Sequence, residues 1–181
     1  VLGTPAEEGG GGKIIMLEDG AFDGLHLAMM VHPSPMESDV FPTLASTGCD
    51  YHFHGKSAHS SLAPHEGINA ADAVTIAQVG IGVLRQHLRP GDQVHGIVTD
   101  GGDAPNIVPS HSTARYVVRA PTLGDLGSLR SRIDKCFEAG ALATGASLTM
   151  NAERLPYSEF RHDEELALLY RQNGEDLGRV F

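Results

Sequence analysis

The sequence predicts an α/β protein in two unlike parts, a piece of an open α/β sheet and a β-α-β-β-α-β sandwich inserted into it. Three observations predict this. Up to His32 the chain runs strand, loop, helix, strand, the rhythm of a sheet whose ligands gather at the carboxyl ends of its strands. From Pro33 to Ser46 the stretch "PSPMESDVFPTLAS" has three prolines and no hydrophobic period, as a crossing between domains does. Beyond Cys49, apolar positions switch between periods of two and 3.6 in the order of a two-layer sandwich.

Taken in order, Val1 and Leu2 read as the end of a buried strand and "GTPAEEGGGG" as the loop after it. Lys13 to Asp19 fits a short helix, and "LHLAMMVH" a second buried strand ending at His32. "CDYHFHGK" alternates as a strand, which puts His52 and His54 on one face. Ile68, Ala71, Val74, Ile81 and Leu84 recur closely enough to 3.6 for an amphipathic helix. "DQVHGIVTDG" and "STARYVVRAP" are the next strands. A second helix carries Leu126, Leu129, Ile133, Phe137 and Leu142 on one face, and "ASLTMNAER" closes as a fourth strand. This is the ferredoxin-like order, a sheet with two helices on one side. From Leu155 a loop leads into a charged helix with no place in the sandwich, so it is expected to return to the first part. The expected division is 1–45, 46–154 and 155–181.

Composition narrows the function classes. In 181 residues, 41% hydrophobic and 20% charged, a soluble globular core is within reach. No apolar run approaches the ~18 residues of a membrane span, and "VLGTPAEE" has neither the basic nor the apolar region of a signal peptide. The absence of an initiator Met suggests numbering from inside a longer chain. A net charge of -10 argues against a nucleic-acid partner, whose phosphates need a basic surface. Two cysteines are too few for a disulfide framework and point to reduced thiols and a cytoplasmic setting. Ten histidines are many for this length, and several crowd into "YHFHGKSAHSSLAPH".

The loop "GTPAEEGGGGK" sets Glu7 and Glu8 against four glycines. Adjacent side chains can point different ways, so one carboxylate can bind a metal while the other faces a water on it, a division of labour common in hydrolases. A solvated acidic turn is the plainer reading of the same residues. A phosphate loop is excluded, because Glu7 takes the first glycine position of GxxxxGK[ST] and Ile14 follows Lys13. His32, at a strand end, becomes a ligand candidate through its companion carboxylates, since Glu plus His is half a zinc shell. "HEGIN" from His65 fails HExxH at Asn69, and no GxSxG elbow occurs. His59 follows small residues and projects freely. Asn106 lies between two prolines in a loop joining two strands, where asparagine often serves only the turn. Arg119 ends an apolar strand, where an arginine either snorkels or pairs with a carboxylate, and its planar fork best suits a substrate carboxylate.

In this order, "GTPAEEGGGGK", "MMVHP", "HFHGKSAHSSLAPHEGINAADA", "PNIVPS" and "YVVRAPT" make the chain resemble the aminoacylase and hippurate hydrolase family of co-catalytic di-metal amidohydrolases, nearest its aminobenzoyl-glutamate hydrolase and dipeptidase-like branch. The resemblance covers nearly the whole chain. It implies a zinc-peptidase-like α/β catalytic domain with two divalent ions, zinc or manganese, interrupted by a ferredoxin-like lid that forms a homodimer. By motif position it implies Glu7 as the general base acting on a bridging water and Glu8 and His32 as metal ligands. It also implies His59 as a lid histidine reaching the partner subunit's site to polarise the scissile carbonyl, and Asn106 and Arg119 as holders of the substrate's carboxylate end. The implied substrate is an N-acyl amino acid, an aminobenzoyl-glutamate-like compound or a small dipeptide. The family's other ligands, in an upstream Cys-Gly-His segment, at an acidic residue and at a histidine near its C-terminus, are not in this sequence, which leaves too few for a stable pair of ions. The alternative function is a dimerisation or ligand-binding module without a complete metal site.

Overall fold

The computed structural model describes residues 1–152 and 155–181. Its elements are α1 (Gly12–Glu18), β1 (Ala45–His54), α2 (Ala70–Leu84), β2 (Gln93–Asp100), β3 (His111–Ala120), α3 (Leu123–Thr144), β4 (Ser147–Ala152) and α4 (Glu164–Asp176). The predicted β-α-β-β-α-β order is present, in one antiparallel sheet ordered β2-β3-β1-β4. β1 and β3 pair along their full length, from Ala45 opposite Ala120 to His54 opposite His111. A bulge between Val98 and Asp100 shifts the register of β2. Of the predicted fourth strand, Glu153 and Arg154 lie outside the described residues.

The alternation read in β1 is the alternation of burial. Cys49, Tyr51 and Phe53 enter the core with Ala114, Tyr116 and Val118 of β3. The helices cover that face through Ala73, Val74, Ala77 and Ile81 of α2 and Leu126, Leu129, Ile133 and Phe137 of α3. Asn69 caps α2 by accepting from the N–H groups of Ala71 and Asp72, and Thr122 caps α3 by accepting from that of Asp125. Three positions differ from expectation. Ile68, read as the first of the helix face, lies before α2 and pairs with Lys56. Ala73 and Ala77 face the core in place of Ala71, and Leu142 is 87% exposed. Leu142 lies five residues beyond Phe137, about 140° round a 3.6-residue helix. Gly140 fills that side instead, so close to α2 that a Cβ would stand 2.2 Å from the Ala73 carbonyl oxygen.

One polar group in the core is fully engaged. The Tyr51 hydroxyl donates to Asp134 at 2.5 Å, and Arg130 Nε donates to the same carboxylate at 2.6 Å. Burial, then the Asp134 hydrogen bond, push the Tyr51 phenol far above its ordinary pKa.

The first part departs from the prediction. Residues 1–2 and 25–32 are not strands, and Leu25, Leu27, Met29, Met30 and Val31 are exposed. A parallel strand satisfies its backbone only through neighbouring strands, and none among the described residues lies beside it. The predicted short helix is present as α1. The tail touches both parts. Tyr157 pairs with Ser46, Phe160 N–H donates to Thr43, His162 bonds the backbone of Phe41, and Glu159 accepts from Leu123 N–H.

Candidate functional site

Glycine shapes the acidic loop at two points. Gly11 takes a left-handed φ of 67° at the start of α1, and a Cβ on Gly12 would stand 1.9 Å from the Pro5 carbonyl oxygen. The loop is held at a distance in sequence by Tyr157, whose hydroxyl accepts from Gly11 N–H at 2.9 Å and donates to the Glu7 carbonyl at 3.1 Å. Nothing in "LPYSEF" marks Tyr157, because its role depends on a hydrogen bond spanning about 150 residues.

The fold brings Glu7, Glu8 and His32 together. One ligand atom from each lies within 4.8 Å of the others, and all three residues are exposed. The Pro33 carbonyl can only accept, so at 2.8 Å His32 Nδ1 is the donor, and the lone pair of that tautomer sits on Nε2. Two carboxylates and an imidazole are a donor set suited to zinc or manganese.

The lid residues stand elsewhere. His59 pairs with Ile107, its Nδ1 accepts from Ser61 N–H at 3.2 Å, and Ser60 N–H donates to the Asn106 carbonyl at 3.0 Å. These bonds put His59 and Asn106 side by side, where β1 ends and β3 begins. A shallow cavity of about 380 Å³ opens beside them, lined by Ser60, Asn69, Asp103 and Ile107 among others. Arg119 lies eight residues along β3 from His111, roughly 27 Å of strand, opposite Ser46. Ser46 pairs with Tyr157, so Arg119 shares its end of the sheet with the Glu7 loop. The ten residues of β1, roughly 30 Å long, separate that end from His59 in the same chain.

Residues 45–144 match the family model of a peptidase dimerisation domain, M20_dimer. Over all 181 residues the chain is 41% identical to the Xaa-Arg dipeptidase of Mus musculus, of which it spans 42%. It is 37% identical to a p-aminobenzoyl-glutamate hydrolase polypeptide of Escherichia coli (strain K12), over 78% of this chain and 30% of that protein. The crystal structure of an aminobenzoyl-glutamate utilization protein from Klebsiella pneumoniae shares the fold, with a TM-score of 0.60 at 19% identity over 73% of this chain and 33% of its own. The chain thus spans less than half the length of these relatives.

Proposed function

This chain belongs to the M20 peptidase dimerisation-domain family, and from that membership we propose that the whole protein is a metal-dependent amidohydrolase, active as a homodimer. Its substrate class is an N-acyl amino acid, an aminobenzoyl-glutamate-like compound or a small dipeptide, and its setting is cytoplasmic, in keeping with two unpaired cysteines. The observation that carries the reading is the meeting of His32 with Glu7 and Glu8, which stand on a loop shaped by glycine.

Glu8 and His32 would hold one or both of two divalent ions, zinc or manganese, with the remaining ligands coming from outside this sequence. When bound, such ions supply Lewis-acid polarisation of the amide carbonyl and make water a stronger nucleophile. Glu7 then takes the proton of the attacking water and delivers it to the departing amine. Tyr157 positions Glu7 by holding its backbone.

The separation of His59 from Glu7 supports the homodimer. β2 is an edge strand with only Val94 buried, and Val98, further along the same strand, is 45% exposed. α2 adds Val79 and Val83, 62% and 61% exposed. An uncovered edge next to an apolar helix face suits a second copy. Two copies paired antiparallel along β2 run in opposite directions. The partner's His59 and the partner's Asn106 then stand at the same end of the joined sheet as this chain's Glu7 loop and Arg119. There the partner's His59 polarises the carbonyl, while Arg119 and the partner's Asn106 hold the substrate carboxylate.

Metal analysis of the full-length protein tests the metal site. About two zinc or manganese ions per chain are expected, with Glu8→Gln losing metal and activity together and Glu7→Gln keeping metal while losing roughly 100-fold or more in turnover. A full-length protein without metal, under conditions that do not strip it, would overturn this reading in favour of a non-catalytic dimerisation module.

A further inference from the structure

One cluster of ligating side chains lies apart from the site above, on the sheet face away from the helices. His54 of β1 opposes His111 of β3, and His52 opposes Thr113. The ring centres of His54 and His111 are 5.3 Å apart, and those of His52 and His111 6.2 Å. Asp100 accepts from His111 Nδ1 at 2.8 Å, which fixes the tautomer and leaves the lone pair on Nε2, as a carboxylate commonly does behind a ligating imidazole. His111 Nε2 and His52 Nδ1 converge on a single atom, Thr113 Oγ1, at 3.4 and 3.1 Å.

We propose that His52, His54 and His111 form a second cation site, distinct from Glu7, Glu8 and His32, for a borderline transition-metal dication such as Zn²⁺, Ni²⁺ or Cu²⁺. Three imidazoles without a directly offered carboxylate favour these ions over Mg²⁺, Ca²⁺ or Mn²⁺. Tetrahedral zinc with Zn–N bonds of ~2.0–2.1 Å sets two ring centres about 5 Å apart, close to the spacing of His54 and His111. His52 joins by turning its ring off Thr113. The backbone beneath is fixed, since β1 and β3 are the two inner strands and Phe53 and Ser112 behind them are fully buried. His54 is exposed and His111 half-exposed, so an ion can enter from solvent. Asp100 is a positioning residue that acts through His111.

The test uses the chain carrying Glu8→Gln and His32→Ala, which removes the other cluster, with Zn²⁺ titrated while the imidazole nitrogens are followed by NMR. The ring signals of His52, His54 and His111 are expected to move together and saturate near one ion per chain, while the exposed His26, His65 and His87 stay in place. Mg²⁺ should move none of them. His54→Ala, an exposed change that leaves the fold alone, and Asp100→Asn should each weaken binding roughly tenfold or more. Shifts spread over all histidines in proportion to exposure, or binding unchanged in His54→Ala, would overturn the proposal.

Discussion

The sandwich and the segment before it draw on similar apolar residues and end in opposite states. Cys49, Tyr51 and Phe53 are at most 1% exposed, whereas Leu25, Leu27, Met29 and Val31 range from 52% to 76%. What separates them is backbone pairing. β1 has an antiparallel neighbour on each side, both supplied by the sandwich itself. Residues 25–32 have no neighbouring strand among the described residues, and apolar content alone does not make a strand. The lid completes its own fold, and the loop bearing Glu7 and Glu8 leans on it through Tyr157.

The largest effect that sharpens this contrast is on stability. Phe137 is fully buried and stacked on Tyr51 at 3.5 Å between ring centres. Phe137→Ala is expected to destabilise the chain by about 3–5 kcal/mol in urea unfolding, and Leu27→Ala by no more than about 0.5 kcal/mol. Comparable losses would mean that the first segment is packed as tightly as the sandwich.

A second contrast lies within the sandwich, between its filled face and its β2 edge. Val79→Glu with Val98→Lys places charge on the apolar strip without touching the core. Sedimentation should show a monomer, with unfolding energy changed by less than about 1 kcal/mol. A persistent dimer would move the interface away from β2 and α2.

The smallest expected effect concerns acid. Arg115 donates to both carboxylate oxygens of Asp50, at 2.8 and 2.9 Å, and holds its pKa below the usual value. The folded state therefore binds that proton less readily than the unfolded one. The stabilisation is full above the unfolded carboxyl's pKa of about 3.9 and is lost as pH falls through the lower folded value. Because Arg115 is half-exposed, it amounts to less than about 1 kcal/mol. Melting curves from pH 6 downward, roughly across that window, should converge for wild type and Asp50→Asn at the acid end.

The sandwich is legible in the sequence because its signals are local. Alternation through Cys49, Tyr51 and Phe53 and the spacing of Leu126, Leu129, Ile133 and Phe137 each describe a face that the same stretch of chain buries. Leu142, read onto that face by its apolar character, lies about 140° round the helix from Phe137, and Gly140 holds the buried side there against α2. Hydropathy misleads at residues 1–2 and 25–32 because it does not reveal whether a neighbouring strand is there. For the candidate site, the Glu7–Glu8 loop and His32 are visible as residue types, and the fold brings them within reach of one another. Tyr157 and the pairing of His111 with Asp100 are not visible, since each depends on contacts across strands or across the whole chain.

The most direct measurement mixes two inactive full-length dimers, Glu7→Gln and His59→Ala, under conditions where subunit exchange is shown by a label. If His59 serves the partner's site, each mixed dimer regains one intact site, and equal mixing should restore about a quarter of wild-type activity. No recovery despite proven exchange would contradict the shared site and return His59 to its own chain, or to no catalytic part at all.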